Sequence, residues 1–197
     1  MIKRCDRQQL LRVASLASLL VLVVCPPAWV TADQGPIDEY QVKAAFLLNF
    51  VRFVDWPPAV FEAPAAPIII GIVGDDPFGD QIDRLVAHKF VNGHSLQVQR
   101  SHDLKSMGKC HVLFIAGTDR QVAAKVIEAF RKSPVMTVGE MEGFAQAGGV
   151  CNFTREGARV AFEINVTAAA RAGLVLSSRL LSLARIVRED GEPATSH

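Results

Sequence analysis

The stretch PIIIGIVGDDPF, Pro67 to Phe78, decides the fold. Ile68, Ile69, Ile70, Ile72 and Val73 make a nearly unbroken run of branched apolar residues. That is the pattern of a strand buried on both faces, as in a parallel sheet covered by helices; a half-exposed strand alternates. Gly74-Asp75-Asp76 ends the run. Asp76 suits an N-cap, and Pro77 suits the first helical position, where its missing N–H has no partner to lose. Strand, tight turn and helix in immediate succession are the first half of a βαβ unit.

The elements that follow repeat the plan. Phe78, Ile82, Leu85, Val86 and Phe90 fall at helical spacing, which predicts a helix over 77–91 ended by Asn92-Gly93. Leu96-Gln97-Val98 is a short strand, and Cys110 to Ala116 (CHVLFIA) is a second continuous apolar run. Asp119 caps a helix with Val122, Val126, Ile127 and Phe130 on one face, and Pro134 to Val138 is a third parallel-type strand closed by Gly139. Then the pattern changes: Gly148 to Phe153 and Ala158 to Ile164 flank Arg155-Glu156-Gly157 as a β-hairpin. Asn165 caps an Ala-rich helix, Leu174 to Leu176 is a brief strand, and Ser177 or Ser178 starts a last helix through Val187. The expected fold is α/β: a three-layer, open, mostly parallel sheet of the Rossmann or flavodoxin-like kind. It has helices on both faces and a C-terminal β-hairpin. Residues 33–187 form that one domain, with a polar, disordered tail over 188–197.

Towards the N-terminus, Ile37 to Trp56 has helical period, with Tyr40, Ala44, Leu47, Leu48, Val51 and Val54 on one stripe. Phe46, Phe50 and Phe53 lie mostly off that stripe, so the helix is either buried on two sides or offers these three aromatics to a partner. Residues 1–32 read as a signal peptide. Lys3, Arg4, Arg7 and Arg12 precede an apolar stretch, Val13 to Val24, and Val30-Thr31-Ala32 supplies small residues for cleavage near Ala32. The apolar stretch is shorter than the ~20 residues a bilayer requires, so no direct membrane insertion is expected after cleavage. Export to the periplasm is the reading.

The whole chain of 197 residues has a formal net charge of +1, and loss of the basic leader makes the remainder slightly acidic. Without a basic cluster there is no support for a nucleic-acid surface. Cys110 and Cys151 are the two cysteines beyond the leader. An even pair in an oxidising compartment permits one disulfide, and two buried free thiols are the alternative.

Motifs for catalysis are missing. Gly71-Ile72-Val73-Gly74 lacks both G-x-G-x-x-G and G-K-[ST], and no serine sits in G-x-S-x-G. The five histidines show no metal-ligand spacing, and Cys110 and His111, as strand neighbours, point to opposite faces rather than forming a dyad. Two triplets, Asn152-Phe153-Thr154 and Asn165-Val166-Thr167, match the N-glycosylation acceptor. No enzyme activity, cofactor or metal is expected. The default ligand crevice of an open α/β sheet, outside the carboxyl ends of the strands, is marked by Gly74, Asp75 and Gly117.

The stretch VAFEINVTAAARAGLVLSSRLLSLA (Val160 to Ala184) resembles the closing signature of the YfiR family. Further landmarks agree in order: EYQVKAAFLLNF with a W-P at its end, IGIVGDDPFG, CHVLFI, PVMTVGE and GGV. The resemblance spans essentially the whole chain after the leader. It implies a small periplasmic α/β protein without catalytic activity, often dimeric, that restrains an inner-membrane diguanylate cyclase and so lowers cyclic di-GMP and biofilm formation. Related members sit beside other sensors, so a histidine-kinase type of partner fits as well. The resemblance also implies disulfides, and Gly71 stands where a partner of Cys110 is expected; Cys110–Cys151 is the bridge left to consider. The leading functional reading is a periplasmic regulator that binds a membrane sensor. The alternative is a periplasmic small-molecule-binding domain using the crevice at the carboxyl edge of the sheet. An exported hydrolase would need a convergent nucleophile and base, and neither is found.

Overall fold

A computed structural model describes residues 38–189; the expected signal segment and most of the expected tail lie outside the described residues. The elements are α1 (Glu39–Phe53), β1 (Val54–Asp55), β2 (Ile68–Val73), α2 (Asp80–Val86), β3 (Phe90–Val91), β4 (His94–Ser101) and β5 (Val112–Ile115). There follow α3 (Arg120–Phe130), β6 (Met136–Gly139), β7 (Cys151–Glu156), β8 (Arg159–Asn165), α4 (Val166–Arg171), β9 (Val175–Leu176), α5 (Ser178–Leu181) and β10 (Arg185–Val187).

The eight-stranded sheet runs β10-β8-β7-β6-β5-β2-β4-β3. Neighbours from β4 through β7 are parallel, as are β8 and β10, while the β7–β8 hairpin and the β3–β4 pair are antiparallel. The fold is therefore α/β with an open, mostly parallel sheet, as the apolar runs predict. The first strand read, β2, is an interior strand between β5 and β4, set toward one side of the sheet.

Two apolar cores cover the two faces. One contains Leu47 and Phe50 of α1, Ile82 of α2, and Ile70, Ile72, Phe114 and Ile164 of the sheet. The other contains Val126 of α3, Leu113 and Ile115 of β5, and Phe144 from the 140–149 loop. Strand β5 thus sends Phe114 to one core and Leu113 and Ile115 to the other, which is why it is apolar at every position. Asp38, Asp119 and Asn165 cap α1, α3 and α4 by accepting hydrogen bonds from backbone N–H groups of the first turn.

Four local expectations are corrected. Asp76 does not cap α2: its Oδ1 accepts from Phe78 N at 2.7 Å in a turn, its Oδ2 holds Arg100, and α2 begins at Asp80. Phe90 and Val91 leave the helical pattern because Asn92 and Gly93, both with positive φ, make a two-residue hairpin turn into β4. The last helix stops at Leu181, and Arg185 to Val187 joins the sheet as β10 beside β8. Glu189, placed in the expected tail, is held by Arg171 at 2.7 Å and by Arg131 at 3.4 Å.

Candidate functional site

Beyond the carboxyl end of β6, an open cleft of about 560 Å³ is lined by residues of α1, the 140–149 loop, β7, β8 and β10, most of them charged or amide-bearing. A lateral row crosses four strands here: Arg185 of β10 pairs with Glu163 of β8, Glu163 with Asn152 of β7, and Asn152 with Gly139 of β6. Registered neighbours project to the same face of a sheet, so Arg185, Glu163 and Asn152 share one surface. Glu163 is buried, and it accepts hydrogen bonds from Arg185 and from Gln146 Nε2, the latter at 3.1 Å.

The loop that brings Gln146 over this row is seated by glycine. A Cβ on Gly139 would lie 2.6 Å from Phe144 Cγ, and one on Gly149 only 2.1 Å from Phe144 Cε1. Two glycines flanking the loop therefore let the Phe144 ring lie flat on the backbone, which fixes the 140–149 segment above the strand ends. On the other wall, Lys43 of α1 is 5% exposed and lies 2.7 Å from both Glu39 and Glu140. Glu140 also accepts from Gly117 N at 3.1 Å, so one carboxylate ties the end of β5 to α1.

Burial on its own would lower the Lys43 pKa, but hydrogen bonds to Glu140 and Glu39 outweigh it and raise the pKa. The Glu39 carboxyl is held below its ordinary range, chiefly by its hydrogen bond to Lys43. This wall is thus a fixed charge cluster, closed at its outer end by Arg155 at 3.4 Å from Glu39.

None of the crevice residues marked in the sequence lines this cleft; Gly117 comes nearest, donating its N–H to Glu140. Gly74 instead donates to Ser101 O at 3.0 Å and packs on Ala116. Asp75 points into solvent beside His102. The residues that line the cleft were not singled out by motif. Their signal is a charged or amide residue inside an apolar run: Lys43 in VKAAF, Asn152 between Cys151 and Phe153, and Glu163 in AFEIN. Asn152 and Asn165 are both buried, which removes the two glycosylation triplets from consideration in the folded chain.

The three aromatics of α1 are placed differently from one another. Phe50 is fully buried; it and half-buried Phe46 pack on Phe153 and Phe162, with centroids 5.2–6.1 Å apart. The apolar surplus of the helix is therefore largely spent on the β7–β8 hairpin, and Phe50 has no surface to offer a partner. Phe53, at the end of α1, lies under the Arg179 guanidinium at 5.4 Å, next to the β1–β9 pair.

Cys110 and Cys151 are both free and buried. Cys151 belongs to the α1 core and Cys110 to the α3 core, so the sheet separates them and the Cys110–Cys151 bridge is not formed. A Cβ at Gly71 would lie 3.3 Å from Cys110 Cβ, in space now filled by Met107 Sδ at 2.8 Å. Burial pushes the Cys110 thiol up to about 12 and raises Cys151 as well, the opposite of an activated nucleophile. His111 lies away from Cys110, stacked on Phe61 and edge-on to Trp56, with Nδ1 accepting from Ile69 N at 3.1 Å.

A family model described as YfiR/HmsC-like matches residues 40–185. The chain belongs to the YfiR/HmsC-like family. Members of this family are periplasmic regulators of cyclic di-GMP synthesis, and they are regulatory rather than catalytic proteins. The match runs from the first turn of α1 to the start of β10, so the YfiR/HmsC-like region takes in the sheet up to Arg185 and every residue lining the cleft except Glu39.

Proposed function

We propose that the chain, exported and cleaved near Ala32, binds the periplasmic part of an inner-membrane diguanylate cyclase and represses its cyclic di-GMP synthesis. The observation that carries this reading is the YfiR/HmsC-like match across residues 40–185. The exposed end of α1 supports a contact surface there. Phe53 is half-buried, Arg179 lies over its ring, and Val175 of the adjoining β9 is 64% exposed. Arginine is among the residues that dominate interface binding energy, and Phe53 and Val175 beside Arg179 supply apolar area for a partner to cover.

The test is capture of the sensor's periplasmic part by the purified mature chain, with Val175→Asp as the variant. Phe50→Asp is unsuitable, since it places a charge in the core and unfolds the protein whatever its partner. Saturable binding that Val175→Asp weakens supports the reading. Binding of a histidine-kinase sensor instead of a cyclase would redirect it, and binding of neither would overturn it.

A further inference from the structure

We propose that the cleft beside Asn152 binds a small molecule through a primary ammonium group. The inference goes beyond the regulatory reading and does not depend on which sensor the chain contacts.

Two amide oxygens in the cleft are buried and accept nothing: Asn152 Oδ1 and Gln146 Oε1. The orientation of Gln146 is fixed by chemistry, because its Nε2 faces Glu163 Oε2 and a carboxylate there requires an N–H donor. Its oxygen is therefore the free end. Asn152 is 1% exposed and lies in the strand row beside Glu163, so its unpaired oxygen is held at the floor of the cleft. Buried acceptors without partners are costly, and where they gather at an opening they mark a site that a ligand completes.

What is missing there is a donor. Lys43 is already engaged by Glu39 and Glu140, Arg155 by Glu39, and Arg185 by Glu163, while Glu142 adds a fourth carboxylate to the lining. With each lining cation facing a carboxylate and acids in excess, an anion finds no unpaired charge in the interior; only Arg155, 67% exposed at the rim and facing Glu39 through Nη1 alone, keeps donors to spare. A primary ammonium brings three donors and a compact positive charge to two amide oxygens and the neighbouring carboxylates. The cleft volume of about 560 Å³ is that of a small-molecule site. Two sources share this chemistry: an aliphatic polyamine, and an α-amino acid whose carboxylate reaches Arg155 at the rim.

Calorimetry on the purified mature chain tests the proposal, with spermidine, the common L-amino acids and choline as probes. Choline carries the charge without any N–H donor. The expected result is one saturable site for spermidine or for an amino acid, with choline bound at least about tenfold more weakly. Asn152→Ala and Gln146→Ala should each weaken binding by about tenfold or more. Asn152→Ala removes an unpaired buried acceptor, so its thermal melting should hold or rise while binding falls; Gln146→Ala keeps the test open if that variant misfolds. Arg155→Ala separates the sources, weakening an amino acid and leaving a polyamine unaffected. No saturable heat from any amine at roughly 10 mM, binding unchanged in both amide variants, or equal binding of choline would each overturn it.

Discussion

Phe144 lies on Gly149 so closely that a Cβ at that glycine would stand 2.1 Å from the ring, so the loop above Glu163 is shaped by the absence of two side chains. A ring edge cannot yield as the far end of a flexible side chain does. Gly149→Ala should therefore destabilise the fold by about 2 kcal/mol through overpacking. Urea unfolding measures it, and Phe144→Leu in the same chain should restore part of the loss.

The ion pair between Lys43 and Glu140 couples α1 to the end of β6. Lys43→Met leaves Glu140, which is almost as buried, without its partner and should cost about 3 kcal/mol. Lys43→Met with Glu140→Gln should cost clearly less than the sum of the single changes, and a double-mutant cycle reads that difference. The acid side follows from Glu39, whose folded pKa is lowered from 4.5. Its contribution is present above that value and is lost as pH falls through the lowered one.

His111 supplies a second pH dependence. Its pKa is lowered, first by burial and then by the charge of His94, which, like His111, stacks on Phe61. Protonation would also place a hydrogen on Nδ1, where Ile69 N–H already donates. The unfolded chain takes up the proton first, near 6.5, so stability falls as pH drops from 6.5 toward the lower folded value. Unfolding midpoints at about pH 7.5 and about pH 5.5 should show the loss, and His111→Gln should flatten it.

Much of this architecture was legible in the chain because burial on both faces writes a continuous apolar run: β2 fills the run Ile68 to Val73, β5 (Val112–Ile115) lies inside Cys110 to Ala116, and β6 (Met136–Gly139) overlaps Pro134 to Val138 and its closing Gly139. The hairpin of β7 and β8 and the Asn165 cap were equally plain. The misread parts are short elements whose local pattern is ambiguous. Phe90 fits a helical stripe and an edge strand alike, and Ile186 fits both a last helical turn and β10. The cleft stayed hidden for another reason. Lys43, Gln146, Asn152 and Glu163 come from four separated segments, and it takes the register of β8 on β7, the Phe144 seat and the Lys43–Glu140 ion pair to bring them together.

The thiols give a covalent check on the same packing. The mature chain, denatured without reductant, should show two free thiols, and in the native state both should resist alkylation because both are buried. Gly71→Cys with Met107→Ala should form a bridge to Cys110, since a Cβ at 71 lies 3.3 Å from that of Cys110 and native disulfides have Cβ atoms roughly 3.5–4.5 Å apart. Under oxidising conditions the free-thiol count of that variant should fall to one.

The regulatory role is tested most directly by the cellular level of cyclic di-GMP when the chain is deleted and then restored. Deletion should raise the level, restoration of the exported chain should lower it again, and Val175→Asp should restore it only weakly while melting like the parent. An unchanged level on deletion, with the membrane cyclase present and active, would contradict a role in restraining cyclic di-GMP synthesis.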